Sequence, residues 1–147
     1  AILLGEMGIG NTTSAAALLS ALTGAAPAVT VGRGTGVDDA RLAHKRAVVE
    51  RALDHHAGAV YGGGFGAPDA AAALAALGGL EIAAMAGATL EGAARGRVVL
   101  VDGFIATVAA LVAAHLDRTV LPALVFAHRS AEAGHGVALD AFVALGM

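Results

Sequence analysis

Short apolar runs that end at glycine alternate with longer alanine-rich stretches along this chain. The short runs, rich in Val, Ile and Leu, predict strands at residues 2–4, 29–31, 98–101 and 124–127. The longer stretches predict helices at residues 12–22, 39–56, 68–77, 81–87, 104–116 and 137–145. Strands that alternate with helices predict an α/β fold, because parallel strands need crossover connections. We expect a single domain with a Rossmann-like three-layer arrangement, in which a short, mostly parallel sheet is flanked by helices.

Polar residues and glycine mark the ends of the two best-defined helices. Asn11 or Thr12 is expected to cap the first helix, which Gly24 ends. Asp38 is expected to cap the long helix at residues 39–56 in the same way. These signals place both helix starts directly after glycine-rich loops.

The composition is unusually apolar. Hydrophobic residues make up 57% of the chain and charged residues 14%, whereas about a quarter of the residues of an average soluble domain are charged. Such a chain is not disordered. The longest apolar run without a charge, residues 104–114, is shorter than the roughly 20 residues that cross a bilayer, so no membrane partner is expected.

Charge and cysteine content exclude several classes of function. The formal net charge is −3 and the nine basic residues are scattered, so no nucleic-acid partner is expected. Cysteine is absent, which excludes disulfides and thiolate metal sites and favours a cytoplasmic location. The six histidines lack the spacing of a ligand pair, so no metal is expected. Because the chain opens at Ala1 in a strand-like run, we expect it to be a fragment of a longer protein.

Ligands of open parallel sheets bind beyond the carboxyl ends of the strands. In this chain every predicted strand is followed by glycine or by polar residues. We therefore expect one rim of the sheet to gather the candidate binding residues, which are Glu6, Gly8, Gly10, Asn11, Thr12, Gly34, Thr35, Gly36, Asp102 and Ser130.

The glycine loop ahead of the first predicted helix has the features of an anion site. Gly8 and Gly10 let backbone N–H groups approach a ligand, and the helix N-terminus adds unpaired donors. The second glycine loop, residues 32–36, is similar, and the two together favour a phosphate. The first loop has the spacing of neither a P-loop nor a dinucleotide fingerprint, so a pair of tight turns is the alternative interpretation.

Lys45 is the only lysine in the chain. On a helical wheel it lies amid Leu42, Val48 and Val49, on the face that is expected to point inward, while Arg46 falls on the flank. An ammonium group at that position either extends along its stem to solvent or meets an anion. A bound phosphate is the natural anionic partner.

Two carboxylates, Glu6 and Asp102, each directly follow a predicted strand. There a carboxylate can stabilise a cationic sugar centre, orient a substrate or act as a base; a helix N-cap is the alternative for Asp102.

Ser130, Glu132 and His135 include the residue types of a hydrolase. No Gly-x-Ser-x-Gly motif surrounds the serine, and loop capping explains these residues more simply.

The segment GEMGIGNTTSAA at residues 5–16 closely resembles the nicotinate-nucleotide–dimethylbenzimidazole phosphoribosyltransferases. The likeness continues through VGRGTG at 31–36, the helix that carries Lys45, VDGFI at 101–105 and AHRSAEAGH at 127–135. It covers essentially the whole chain, in order.

The resemblance implies transfer of phosphoribose from nicotinate mononucleotide to 5,6-dimethylbenzimidazole. The products are α-ribazole phosphate and nicotinate, in the assembly of the lower ligand of cobalamin. The resemblance also implies that Glu6 belongs to the active site as a supporting carboxylate, and that the glycine loops, Lys45 and the segment around Ser130 hold the phosphoribosyl group. It further implies a homodimer, and no cofactor is expected.

The chain also departs from the family pattern. The catalytic base of the family is a glutamate in a Leu-Gly-Glu-Gly type motif, which the resemblance places after Met147, and Ala133 stands where proline is common. We therefore expect little or no turnover from these 147 residues alone. Two alternatives remain: a truncated module that binds nicotinate mononucleotide or phosphate without chemistry, and a fragment that serves only dimer assembly.

Overall fold

The protein is described by a computed structural model that covers residues 1–62 and 66–147. Its sheet consists of three parallel strands in the order β1 (Ile2–Gly5), β2 (Val99–Asp102) and β3 (Leu124–Phe126). The helices of the described residues are α1 (Thr12–Thr23), α2 (Pro27–Thr30), α3 (Asp39–Tyr61), α4 (Ala70–Leu77), α5 (Leu80–Ala94), α6 (Phe104–Leu116) and α7 (Ala133–Ala144), with a 3₁₀ helix at Arg118–Ala123. The predicted α/β fold, with a short parallel sheet flanked by helices, is confirmed.

The predicted strand at residues 29–31 is wrong, because most of this segment belongs to helix α2. Pro27 occupies the first helical turn, where its fixed φ angle and missing N–H favour a helix start. Thr30 then turns inward, and its hydroxyl lies 2.7 Å from the Ser20 hydroxyl of α1. A run of β-branched residues is compatible with either structure, and packing against α1 selects the helix.

The predicted helix ends are confirmed where a capping residue marks them. Gly24 ends α1 in the left-handed conformation with φ +73°, and the Asp38 side chain accepts a hydrogen bond from the Arg41 N–H at 2.8 Å. The other boundaries move. Helix α4 begins at Ala70, after its N-cap Asp69, rather than at Pro68. Helix α5 continues to Ala94, since a glycine inside a helix costs only about 1 kcal/mol.

Helix α7 begins at Ala133, several residues before the predicted start at residue 137. Its N-cap, Glu132, makes no side-chain capping bond, so no cap signal marked this start in the sequence.

Of the glycine-rich stretch that separates α3 from α4, residues 63–65 lie outside the described part of the chain.

Helix α6 forms the centre of the core. Every residue from Phe104 to Ala114 is buried, and α1, α5 and α7 all pack against this helix. Its many alanines allow the neighbouring helices to approach closely. Within the described residues, no helix is both long and apolar enough to cross a membrane.

The two faces of the sheet differ in how well they are covered. Leu3, Leu100 and Val125 lie side by side in register across the three strands, and we call this set the apolar row. Leu3 is 75% exposed and Val125 is 46% exposed, whereas Leu4 and Val101, which point to the opposite face, are buried. The described residues therefore leave the apolar row accessible.

A Gly134→Ala substitution is expected to destabilise the fold. A Cβ atom at this position would lie 2.6 Å from the Thr30 carbonyl oxygen and 2.8 Å from Phe104 Cε2, so α7 must move away from α2 and α6. We expect a loss of about 2 kcal/mol in the free energy of unfolding, measured by urea denaturation.

Gly136→Ala is the matched control in the same helix. There the Cβ atom would meet only the end of the flexible Arg129 side chain, and alanine favours a helix. Equal losses from the two variants would contradict the proposed close packing at Gly134.

Candidate functional site

The carboxyl ends of the three strands place a cleft at one edge of the sheet. This cleft, called here the glycine cleft, has a volume of about 190 Å³. It is lined by Glu6, Met7, Gly8, Thr12, Gly34, Thr35, Phe104, Ile105 and Glu132. The structure thus brings together Glu6, Gly8, Thr12, Gly34 and Thr35 from the predicted set.

The first glycine loop leaves the start of α1 open. Gly8 and Gly10 have φ angles of +82° and +87°, which favour glycine, and the Gly8 N–H donates to Glu6 Oε1 at 3.2 Å. Asn11 occupies the predicted N-cap position but makes no capping bond. Its Nδ2 instead donates to Glu81 Oε1 at 3.1 Å. The first-turn N–H groups of α1 therefore have no side-chain acceptor and can face an anion.

Lys45 connects the two glycine loops. Its Nζ donates to Thr12 Oγ1 at 2.7 Å and to the Gly32 carbonyl oxygen at 3.0 Å. These bonds account for two of the three N–H donors of the ammonium group. Partial burial lowers the pKa of Lys45, while the nearby Glu132 carboxylate raises it. The side chain is thus held between the loops with a donor left for a ligand.

A carboxylate lies over the second glycine loop. The Gly34 N–H donates to Glu132 Oε1 at 3.4 Å, and a Cβ atom on Gly32 would overlap that carboxylate. Gly34 has a φ angle of +54°, and a Cβ on Gly36 would face open space. The chain's own Glu132 therefore lies where the sequence predicts that this loop meets a phosphate.

A second cleft, called here the serine cleft, adjoins the first at Gly34 and Glu132. Its volume is about 580 Å³, and its lining includes Ser130 and Arg46. The Nε of Arg46 is buried without a hydrogen-bond partner among the described residues. The helical wheel predicts Arg46 on the flank of its helix, and the structure places it in one cleft with residues 130–133, which lie far along the chain.

Asp102 does not cap helix α6, so that alternative is wrong. Gly103 occupies the N-cap position with a φ angle of +85°, and Asp102 Oδ1 instead lies 3.0 Å from His128 Nδ1. Ser130 contacts His135, whose Nδ1 lies 2.7 Å from the serine hydroxyl. The pairing of Asp102 with His128 was not predicted from the sequence.

Metal ligation is not indicated by the geometry of the described residues. In residues 1–62 and 66–147, no group of three His, Asp or Glu side chains converges as a metal site requires.

Comparison with known proteins gives a consistent set of matches. A family model described as phosphoribosyltransferase matches residues 1–146. The nicotinate-nucleotide–dimethylbenzimidazole phosphoribosyltransferase of Bradyrhizobium sp. (strain ORS 278) is 55% identical over 140 residues, which is 95% of this chain and 38% of that protein. The same enzyme of Cupriavidus necator is 56% identical over 141 residues, which is 94% of this chain and 38% of that protein.

A solved structure agrees with these relatives. The crystal structure of CobT from Thermus thermophilus has a TM-score of 0.86 and 40% sequence identity. It covers 96% of this chain and 40% of the CobT chain. The chain therefore spans well under half the length of the relatives that it matches.

Glu132→Gln is expected to strengthen binding of inorganic phosphate to this chain. The substitution removes a negative charge beside Lys45 and the Gly34 N–H while keeping a similar shape. We expect the dissociation constant to fall about threefold to tenfold, the scale of one charge at a partly solvated site, measured by isothermal titration calorimetry.

Asp140→Asn removes one carboxylate from α7 away from both clefts and controls for net charge. If Glu132→Gln weakens phosphate binding, Glu132 supports the anion instead of competing with it.

Proposed function

This chain belongs to the phosphoribosyltransferase family, and from that premise we propose that it forms part of an enzyme that transfers phosphoribose from nicotinate mononucleotide to 5,6-dimethylbenzimidazole. The products are α-ribazole phosphate and nicotinate, so the enzyme serves cobalamin lower-ligand assembly. The relatives that carry this name in Bradyrhizobium and Cupriavidus match more than nine tenths of the chain.

The observation that carries the proposal is the position of Lys45 between the two glycine loops. Its bonds to Thr12 and to the Gly32 carbonyl hold a cation beside the open N-terminus of α1 and the Gly34 N–H. Backbone donors and one fixed cation are the recurring elements of a phosphate site. We assign the 5-phosphate of the mononucleotide to this position, with Gly8, Gly10, Thr12, Gly34, Thr35, Gly36 and Ser130 around it.

The carboxylates suit the chemistry at the sugar. In nicotinate mononucleotide the glycosidic nitrogen is a cationic pyridinium, and the bond to it breaks with its electron pair staying on nitrogen. The anomeric carbon then acquires oxocarbenium character, which Glu6 at the mouth of the glycine cleft can stabilise as a supporting carboxylate. Asp102 lies at the next strand end, where it can orient the ribose.

The incoming azole ring bonds to the anomeric carbon through one nitrogen, and the ring must lose its N–H proton to a base. Family resemblance assigns that base to a glutamate of a Leu-Gly-Glu-Gly type motif, which these residues do not contain. We therefore assign to this domain the binding and stabilisation of the phosphoribosyl group, and not the proton transfer. Asn11, whose Nδ2 donates to Glu81, remains a proposed phosphate-binding residue at the start of α1.

We also propose that the whole protein is a homodimer and is cytoplasmic. A homodimer is favoured by the accessible apolar row of the sheet, since parallel sheets are normally covered on both faces. A cytoplasmic location is favoured by the absence of cysteine.

A non-catalytic role in assembly is the second candidate function. It is favoured by the same apolar row and by the 91% exposure of Leu80. The two candidates differ in whether the domain binds the mononucleotide at all, and a binding measurement distinguishes them.

Lys45→Met is expected to weaken binding of nicotinate mononucleotide to this chain about tenfold or more, because it removes the cation but keeps the apolar stem.

For the unmodified chain, the affinity for the mononucleotide should fall as the pH rises through the pKa of Lys45. Because burial has lowered that pKa, the fall begins at a lower pH than for an ordinary lysine. Calorimetry across neutral to alkaline pH measures both effects.

Arg51→Met, at an exposed position on the same helix, is the matched control and should bind normally. Equal binding by the Lys45 and Arg51 variants would refute the assigned phosphate site.

Glu6→Gln in the full-length protein that contains this sequence is expected to lower kcat by about a hundredfold with little change in KM for nicotinate mononucleotide. The reason is that the carboxylate acts on charge that develops only in the transition state. Formation of α-ribazole phosphate, followed by chromatography, is the readout.

Glu50→Gln, on the exposed face of α3, controls for the loss of a charge. A folded full-length protein that forms no α-ribazole phosphate, yet whose domain assembles into a stable dimer, would favour the assembly role instead.

A further inference from the structure

A buried chain of hydrogen bonds connects Ser130 to helix α6. His135 is fully buried, and its Nδ1 lies 2.9 Å from the Ser130 backbone nitrogen and 2.7 Å from the Ser130 hydroxyl. On the other side of the ring, Nε2 lies 3.1 Å from Thr107 Oγ1. The Thr107 hydroxyl in turn donates to the Gly103 carbonyl oxygen at 2.8 Å.

The backbone determines which nitrogen of the His135 ring carries the proton. The Ser130 N–H can only donate, so Nδ1 accepts and is unprotonated. The neutral ring then carries its proton on Nε2 and donates to Thr107 Oγ1, whose own proton is already directed at Gly103. Burial, followed by the neighbouring His128 and Arg129, lowers the pKa of His135 against the opposing effect of Asp102, which agrees with a neutral ring.

Ser130 has one donor more than this arrangement needs. Its N–H donates to Nδ1 and its hydroxyl lies within hydrogen-bond distance of the same nitrogen, but that nitrogen has a single lone pair. The N–H alone satisfies the buried nitrogen, so the hydroxyl can turn toward a ligand without leaving a buried acceptor unpaired. Ser130 lines the serine cleft beside Gly34 and Glu132, next to the assigned phosphate position.

We propose that Thr107 and His135 are positioning residues for anion binding: Thr107 holds His135 in the Nε2–H tautomer, and His135 holds the Ser130 backbone so that its hydroxyl faces a phosphate monoester. Both side chains are fully buried, so both act through Ser130 without touching the ligand. The ligand half of this proposal rests on the proposed function, whereas the tautomer does not.

Thr107→Val tests the relay at a residue remote from the ligand. Valine has nearly the shape of threonine but removes the acceptor of the Nε2–H group. The ring is then left with a buried unpaired donor, or it adopts the Nδ1–H tautomer, which opposes the Ser130 N–H. An Nδ1–H ring can no longer accept from the Ser130 N–H, and a ring without a partner at Nε2 is no longer held in place by α6. Both outcomes loosen the hold on Ser130, whereas Thr107→Ser keeps the hydroxyl and rescues the arrangement.

Thr89→Val is the matched control for stability. Thr89 is also fully buried, and its hydroxyl makes the same kind of bond, to the Met85 carbonyl oxygen at 2.8 Å, away from both clefts. It should lower the thermal midpoint to a similar degree as Thr107→Val without changing ligand binding.

The experiment measures two quantities on the ¹⁵N-labelled chain. Nitrogen chemical shifts of the His135 ring report the tautomer, and calorimetry gives the dissociation constants of nicotinate mononucleotide and inorganic phosphate. We expect the Nε2–H tautomer in the unmodified chain. We further expect about fivefold weaker binding of both probes in Thr107→Val, the scale of one hydrogen bond, and binding within about twofold of the unmodified chain in Thr107→Ser.

A second variant series decides whether Ser130 transmits the effect. In a Ser130→Ala background, Thr107→Val should cause no further loss of binding; an equal loss in both backgrounds would refute the positioning role. An Nδ1–H tautomer in the unmodified chain would overturn the relay itself. If that chain binds neither probe but has the Nε2–H tautomer, the proposed function fails, and with it the ligand role of Ser130.

Discussion

The burial of helix α6 is the constraint on which the rest of the structure depends. Its residues from Phe104 to Ala114 are all removed from solvent, and burial of apolar surface, which contributes about 25 cal/mol per Å², is the dominant favourable contribution to folding. Because α1, α5 and α7 each pack on it, α6 sets where the loops before α1 and α7 can lie. The contact of Gly134 with Phe104 illustrates how little space this packing leaves.

The loops arranged around α6 bring two carboxylates and one ammonium group close together. The glycine cleft is lined by the carboxylates Glu6 and Glu132, while Lys45 reaches the same loops from α3. A dianionic phosphate is attracted by the backbone donors and Lys45 and is repelled by Glu132, so the carboxylate limits how tightly a simple anion binds. Under the proposed function, Glu6 would favour a substrate that also carries a positive charge at its glycosidic nitrogen, as a pyridinium nucleotide does.

The sequence predicted the elements whose ends are marked by local chemistry. Helix α6 was predicted at its observed bounds, and the ends of α1 at Gly24 and the start of α3 after Asp38 were also predicted. The segment at residues 29–31 was predicted wrongly, since Val29, Thr30 and Val31 suit a strand as well as a short helix. The start of α7 was placed too late because Glu132 does not act as a side-chain cap.

By itself the sequence determined the α/β class, the two glycine loops and the residue types of the site, because helix period, strand runs and turn glycines depend on neighbours within a few positions. Only the tertiary structure decided that Glu132 covers a loop 98 residues earlier. It also decided that Arg46 lines a cleft and that Thr107 Oγ1 lies 3.1 Å from Nε2 of His135, 28 residues away. Such pairings depend on how α3, α6 and α7 pack together, and no local pattern in the chain encodes the distance between two side chains that meet only in the folded core.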